Sequence, residues 1–190
     1  MSDTVVVKKK EAGPVQLVVT LFLISAICAV LLGLVNNITA GPIAAANEAA
    51  TNAAMQAVLP ADSYEQVEYT GGNALVTAVY KAGDAGYVVQ VAPSGFGGNL
   101  DVMVGVGADG TCTGVSIISH SETSGIGTKI MNNDPLPSGV GVLDQFVGKS
   151  AADGTLSVGS NVDAITGATV STRGVTTGVN AALAAIAAMG

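Results

Sequence analysis

Large aromatic side chains are scarce in this chain of 190 residues: tryptophan is absent, and aromatic residues make up only 4%. Hydrophobic residues nevertheless reach 49%, so alanine, valine and other small or branched side chains must build the core. There is one histidine, His120, and the two cysteines are Cys28 in an apolar run and Cys112 in a polar turn. Because carboxylates do not cluster around His120, the sequence predicts no metal site. Because the two cysteines lie in such different surroundings, it predicts no disulfide between them.

Basic residues are also few. The chain has seven Lys and Arg against fourteen Asp and Glu, and three of the seven bases are Lys8, Lys9 and Lys10. The remainder is therefore acidic, which argues against nucleic acid as a partner, because its phosphates would be repelled. The length fits one domain of ordinary size with a terminal appendage.

The appendage is an apolar run near the N-terminus. No charged residue occurs between Glu11 and Glu48, and residues 17–35 would form about 28 Å of apolar helix. A buried core helix would show a polar face, and a cleaved signal peptide would have a shorter apolar region and a better cleavage site than Ile38-Thr39-Ala40. We therefore predict a retained transmembrane helix over residues 14–38, held in the lipid bilayer.

The lysines predict its orientation. Three of them precede the span, and the next basic residue is Lys81. By the positive-inside rule the N-terminus is cytoplasmic and the body lies outside the cytoplasmic membrane. The predicted division is a cytoplasmic tail over 1–13, the span, a helical connector over 39–60 and an extracytoplasmic domain over 61–190.

That domain is predicted to be α+β, with an antiparallel sheet and flanking helices. An alanine-rich helix precedes Pro60, a short helical piece covers Leu143–Val147, and a last helix runs from about Thr172 to Met189. Apolar residues on one stripe of the last helix should pack on the sheet: Val175, Val179, Leu183, Ile186 and Met189. Alternation and glycine-rich turns predict five strands, the fourth with one buried face: Tyr64–Tyr69, Ala74–Tyr80, Tyr87–Val91, Leu100–Val106 and Thr113–Ser119.

Three short motifs carry possible chemistry. The stretch Thr166-Gly167-Ala168-Thr169-Val170-Ser171-Thr172 can cap a helix, with Thr166 and Ser171 as capping residues, or can expose the Thr169 hydroxyl for esterification to a phosphate beside the helix start. The stretch His120-Ser121-Glu122-Thr123-Ser124-Gly125-Ile126-Gly127 is either a surface turn or a loop that hydrogen-bonds the polar edge of a planar ring. The stretch Gly95-Phe96-Gly97-Gly98 is typical of a turn.

In their order along the chain the motifs resemble those of the FMN-binding domain family, found in the G subunit of the Rnf electron-transport complex and in the C subunit of the sodium-pumping NADH:quinone reductase. Thr166–Thr169 is similar to its [Ser/Thr]-Gly-Ala-Thr flavinylation motif, and residues 95–98, 120–127 and 145–149 match its other landmarks. Ser124 and Ile126 depart from the proline and leucine usual there. The short spacing between span and domain favours the Rnf protein.

The resemblance implies an FMN that a flavin transferase joins, through its phosphate, to the Thr169 side-chain oxygen. The other cofactor-binding residues it implies are Thr166, Gly167, Ala168, Ser171, Thr172, His120, Glu122, Thr123, Gly125, Ile126 and Gly127. Lys129 and Arg173 are hypothetical partners for the phosphate charge.

The family's complex moves electrons between ferredoxin and NAD while it translocates sodium ions or protons across a bacterial or archaeal membrane. This sequence has no dinucleotide-binding fingerprint and no cysteine cluster for an iron–sulfur centre. The resemblance therefore implies an electron relay that depends on other subunits and has no independent catalysis. The alternatives from other classes are a pilin-like structural protein and a non-redox ligand-binding domain.

Overall fold

The computed structural model describes residues 13–189. Its helices and strands, in chain order, are α1 (Pro14–Val58), β1 (Glu65–Val67), β2 (Val76–Lys81), β3 (Gly86–Val91), β4 (Asp101–Gly107), β5 (Cys112–Ser119), α2 (Thr128–Met131) and α3 (Thr169–Met189), with 3₁₀ turns at Asp144–Phe146 and Ala151–Asp153. The predicted helices and all five strands are present, most of them shifted by a few residues at their ends. Lys8–Lys10 and the predicted tail over residues 1–12 lie outside the described residues, as does Gly190.

Helix α1 is long and apolar enough to cross a membrane. It begins at Pro14, a favoured residue for the first helical turn, and its apolar side chains are exposed along the first part of the helix, as for Leu32 (71%) and Phe22 (69%). The predicted span and the predicted alanine-rich helix form one helix, which continues through Pro42. From Ala49 onward α1 belongs to the same compact unit as the sheet.

The sheet is an antiparallel meander of five strands in the order β1-β2-β3-β4-β5. This confirms the α+β prediction. The predicted buried face of β4 is confirmed, since Val102 and Val104 pack in the cluster that contains α3 residues; the other face is buried as well, because Met103 packs with Met55 and Val58 of α1. The C-terminal end of α1 thus covers the face that a sequence alternation would leave to solvent.

Helix α3 begins at Thr169, three residues earlier than predicted. Its stripe is buried at Val175, Val179, Leu183 and Ile186, but Met189 is 40% exposed, so the prediction that the stripe reaches Met189 was wrong. Met189 is the last helical residue and lies beyond the core cluster. The polar first half is buried as well: Thr176 donates its hydroxyl to the Thr172 carbonyl at 2.8 Å, which satisfies a polar group in the core.

Both cysteines are free thiols. Cys112 is fully buried, and burial raises the pKa of its thiol to about 11. At neutral pH this thiol is protonated, and a buried, protonated thiol is a poor nucleophile.

The end of α1 rests on two glycines. Gly105 in β4 and Gly114 in β5 are register partners, and both face Val58. Thr113 donates its hydroxyl to the Val58 carbonyl at 2.6 Å. A Cβ at Gly105 would overlap that carbonyl, whereas a Cβ at Gly114 would lie 3.1 Å from the Val58 Cα atom.

We predict that Gly105→Ala lowers the free energy of unfolding of the domain by about 1–3 kcal/mol, because a backbone group has to move. Gly114→Ala should cost less, since its tightest contact is less severe. Denaturant unfolding of the detergent-solubilised protein measures both, with Gly41→Ala as control because no atom lies within 4 Å of its Cβ position. Equal stability of Gly105→Ala and wild type would contradict this packing.

Candidate functional site

A cleft of about 220 Å³ opens at the start of α3. Three segments of the chain form it: the loop between β3 and β4, the loop after β5, and the turn into α3. The residues that line it are Phe96, Glu122, Thr123, Ile126, Gly127, Gly167, Thr169, Val170 and Ser171. Seven of these were predicted as site residues, so the fold brings together two motifs that are separated by 38 residues in the sequence.

The Glu122 carboxylate connects the three segments. One of its oxygens, Oε1, accepts hydrogen bonds from the backbone N–H groups of Phe96 (2.8 Å) and Gly97 (3.3 Å). The other, Oε2, accepts a hydrogen bond from the Ser171 hydroxyl at 2.6 Å, a length typical of O–H donation to an ionised oxygen. Glu122 is only 8% exposed, so these protein donors replace water around a buried charge.

The loop around Glu122 is locked by its own hydrogen bonds. The Thr123 carbonyl accepts from the N–H groups of Ile126 (3.3 Å) and Gly127 (3.0 Å), and the Gly125 N–H donates to the Thr128 hydroxyl at 2.9 Å. Gly125 has φ +78°, a conformation that glycine adopts without strain. These bonds hold Ile126 at the rim of the cleft.

His120 lies outside the cleft lining and is exposed. Its Nδ1 atom accepts a hydrogen bond from the Glu122 N–H at 3.2 Å. His120 therefore contacts the backbone of the loop and does not line the cleft.

The hydroxyl groups at the start of α3 have different surroundings. Thr172 is buried and donates to the Ala168 carbonyl at 3.0 Å, and Ser171 donates to Glu122. Thr166 is exposed and does not line the cleft. Thr169, the first residue of α3, is half-buried and lines the cleft.

The turn before α3 depends on Gly167, which has φ +87°. The following N–H, of Ala168, donates to the Ile165 carbonyl at 2.9 Å, and Ala168 itself is buried. After this turn the first three helical residues, Thr169, Val170 and Ser171, line the cleft. The backbone N–H groups at the start of a helix have no acceptor inside their own helix and favour a neighbouring anion.

Exposed apolar side chains surround Thr169. Phe96 is 71% exposed, Ile126 50% and Val170 47%. Large apolar groups exposed together in a concave site are typical of ligand binding. Phe96 and Val170 were not among the predicted site residues; an aromatic residue between glycines is the signal that could have indicated Phe96.

The hypothetical phosphate partners lie elsewhere. Neither Lys129 nor Arg173 lines the cleft. Arg173 is exposed and lines a separate depression with Ser157, Val158 and Thr177. The charge of an anion at Thr169 would instead be met by the backbone at the start of α3.

The site lies within an FMN-binding domain: the sequence model of that family matches residues 95–184, which include every residue that lines the cleft. Comparison with curated proteins shows which FMN-binding proteins this chain is similar to. Over 184 aligned residues the chain is 38% identical to the G subunit of the Na(+)-translocating ferredoxin:NAD(+) oxidoreductase complex of Acetobacterium woodii, covering 84% of this chain and 85% of the relative.

Two further relatives are G subunits as well. That of the ion-translocating oxidoreductase complex of Methanosarcina acetivorans is 32% identical and covers 88% of this chain and 92% of its own length. That of the proton-translocating ferredoxin:NAD(+) oxidoreductase complex of Clostridium ljungdahlii is 35% identical over 51% of each chain. This chain belongs to the G-subunit family of the Rnf-type ion-translocating oxidoreductase complexes.

The residues of the cleft fit FMN. Its planar ring needs apolar surfaces, which Phe96, Ile126 and Val170 offer, and its phosphate needs donors, which the start of α3 offers. Thr169 lines the same cleft as the first residue of α3.

We predict that Gly167→Ala lowers the free energy of unfolding by about 1–2 kcal/mol, because alanine is strained at positive φ. Its Cβ would make only an ordinary 3.7 Å contact with Ile126, so the cost is conformational. Gly72→Ala is the matched control, with φ +72° and open surroundings. Both variants should lose similar stability in thermal unfolding, but only Gly167→Ala should reduce FMN loading; unchanged loading would contradict the role of this turn.

Proposed function

We propose that this chain is a membrane-anchored flavoprotein that relays electrons through an FMN joined to Thr169 by a phosphoester, as one component of an ion-translocating ferredoxin:NAD oxidoreductase complex. The family membership and the FMN-binding domain support the electron-transport role. The observation that carries the covalent assignment is the position of Thr169: it lines the cleft as the first residue of α3, where the hydroxyls of Ser171 and Thr172 are engaged by protein acceptors, whereas the other threonine of the lining, Thr123, lies on the loop after β5.

Formation of the ester requires a second enzyme. The Thr169 oxygen has to attack the phosphorus on the FMN side of FAD, so that the pyrophosphate bond breaks, AMP leaves and the hydroxyl proton is lost. No residue of the cleft other than Glu122 is a base, and Glu122 already accepts hydrogen bonds from three donors. A flavin transferase would therefore supply the activation that an ordinary threonine hydroxyl needs.

The covalent bond would retain the cofactor and leave its redox properties to other contacts. A noncovalent FMN on the outer face of a membrane would be lost by dilution. When bound, FMN supplies one-electron and two-electron redox chemistry, and the residues around its ring set the potential. In this chain those residues are the apolar side chains at the rim and the backbone of the loop from Thr123 to Gly127.

The phosphoester formed in this way is a phosphodiester with one negative charge. The backbone N–H groups at the start of α3 favour that charge through hydrogen bonding and through the helix dipole. Glu122 is also negative, but its charge faces the N–H groups of Phe96 and Gly97 and the Ser171 hydroxyl. The phosphodiester and the Glu122 carboxylate would therefore each have their own hydrogen-bond donors.

The partners in this proposal are the other membrane and peripheral subunits of the complex, the flavin transferase and the lipid bilayer around α1. The N-terminus would be cytoplasmic and the domain extracytoplasmic. Support comes from the three lysines that precede the span and from the apolar character of α1.

The covalent site is tested by flavin fluorescence in a denaturing gel. Wild-type protein made together with a flavin transferase should show fluorescence that follows the band and a mass increase of one FMN less one water. Thr169→Ala should abolish both, because the attacking oxygen is removed. Thr155→Ala is the matched control: it removes an exposed threonine hydroxyl of the same domain that does not line the cleft, and it should stay fluorescent.

Fluorescence that persists in Thr169→Ala would contradict the site. Its absence from wild-type protein produced with an active transferase would contradict the class of covalent flavoprotein, and would favour a structural or a noncovalent ligand-binding role.

The orientation is tested separately. A reporter enzyme that is active only outside the cytoplasm, fused after Gly190, should be active, and moving the three lysines to a position after the span should reduce that activity. Activity of a cytoplasm-dependent reporter at the same position would overturn the proposed topology.

A further inference from the structure

One of the two interpretations of the 120–127 stretch was that Glu122 and its neighbours hydrogen-bond the edge of a bound ring. In the structure its carboxylate is turned to the protein: Oε1 accepts two backbone N–H groups and Oε2 accepts the Ser171 hydroxyl. With 8% exposure, the side chain offers little surface to a ligand. Its contacts instead join the β3–β4 loop to the first turn of α3.

The β3–β4 loop is tightly built. The Gly95 N–H donates to the Gly98 carbonyl at 2.7 Å, and the Leu100 N–H donates to the Pro93 carbonyl at 2.8 Å. A Cβ at Gly95 would overlap the Glu122 carboxylate, and one at Gly97 would overlap the Ser121 carbonyl. The loop and the Glu122 segment are therefore in direct contact, with no space for a side chain between them.

Helix α3 approaches the same loop. A Cβ at Gly174, one helical turn after Ser171, would meet the Ser94 carbonyl. The loop is thus held on one side by the helix and on the other by Glu122. The residue of this loop that lines the cleft is Phe96, which is 71% exposed although its backbone N–H is bound by Glu122.

We infer that Glu122 is a positioning residue of the flavin site, which fastens the β3–β4 loop to the start of α3 so that the Phe96 ring forms one wall of the cleft against the flavin. This inference rests on the proposed function for the identity of the ligand. The contacts that place Phe96 in the cleft lie within this chain and do not depend on which ligand binds there. A planar aromatic side chain that lines the same cleft as the attachment point is suited to stacking on a planar ring.

The first test uses the full-length protein in detergent, produced without flavin transferase. Amide hydrogen exchange at Phe96 and Gly97 should be roughly tenfold faster or more in Glu122→Ala, because both N–H groups lose their charged acceptor. Glu122→Gln keeps an acceptor oxygen and should give a smaller increase. Glu68→Gln, a change of the same kind at an exposed position, should leave the exchange unchanged.

If Glu122→Ala does not fold, the same measurement is made on Ser171→Ala. It removes only the bond between the carboxylate and α3, and should also accelerate exchange at Phe96 and Gly97, by less than Glu122→Ala. Exchange that is unchanged in both Ser171→Ala and Glu122→Gln would overturn the positioning role.

The second test uses protein that carries FMN. A ring that covers one face of the flavin shields that face from solutes, so quenching of the native flavin fluorescence by added iodide should be stronger in Phe96→Ala and in Glu122→Gln than in wild type at equal FMN content. In the Phe96→Ala, Glu122→Gln double variant the iodide quenching should increase no further than in Phe96→Ala alone, because both changes act on the same wall.

Additive increases would overturn the inference that Glu122 acts through Phe96, since a direct contact with the ring would then be required. The two proposals fail differently. Absence of covalent FMN from the wild type contradicts the proposed function, while the exchange experiment still decides whether Glu122 fastens the loop.

Discussion

The site depends on one buried carboxylate. Glu122 receives hydrogen bonds from two backbone N–H groups of the β3–β4 loop and from a hydroxyl of α3. A buried charge is costly unless donors surround it, so the three segments are held together by the need to satisfy it. The cleft around Thr169 exists because these segments meet at this point.

Small residues make that meeting possible. Glycines at 95, 97 and 127 let backbones come against Glu122 or its neighbour, and Gly174 does the same for α3 and the loop. The same principle operates at the other face of the sheet, where Gly105 and Gly114 admit the end of α1. A composition that is poor in aromatics and rich in glycine is therefore consistent with a fold built by close backbone contact. Phe96 is an exception, since it is a large aromatic residue that is exposed at the site.

Local patterns made the elements predictable. Alternation along β4, the charge-free run of α1 and the stripe of α3 each follow from periodicity within one segment, and the order of short motifs indicated the family and the position of Thr169. Contacts between segments were not predictable in this way. That Glu122 faces the protein, that Phe96 faces the cleft, and that Val58 covers a second sheet face all depend on which backbones lie together in three dimensions.

The most direct test of the account is peptide mapping of the mature protein by mass spectrometry. Trypsin should release residues 150–173, a peptide that contains several hydroxyl residues: Ser150, Thr155, Ser157, Ser160, Thr166, Thr169, Ser171 and Thr172. Fragmentation that retains the modification should place the added mass, which is one FMN less one water, on Thr169. Location of that mass on Thr166 or Ser171, or on another peptide, would contradict the central claim that the cleft presents Thr169 for attachment.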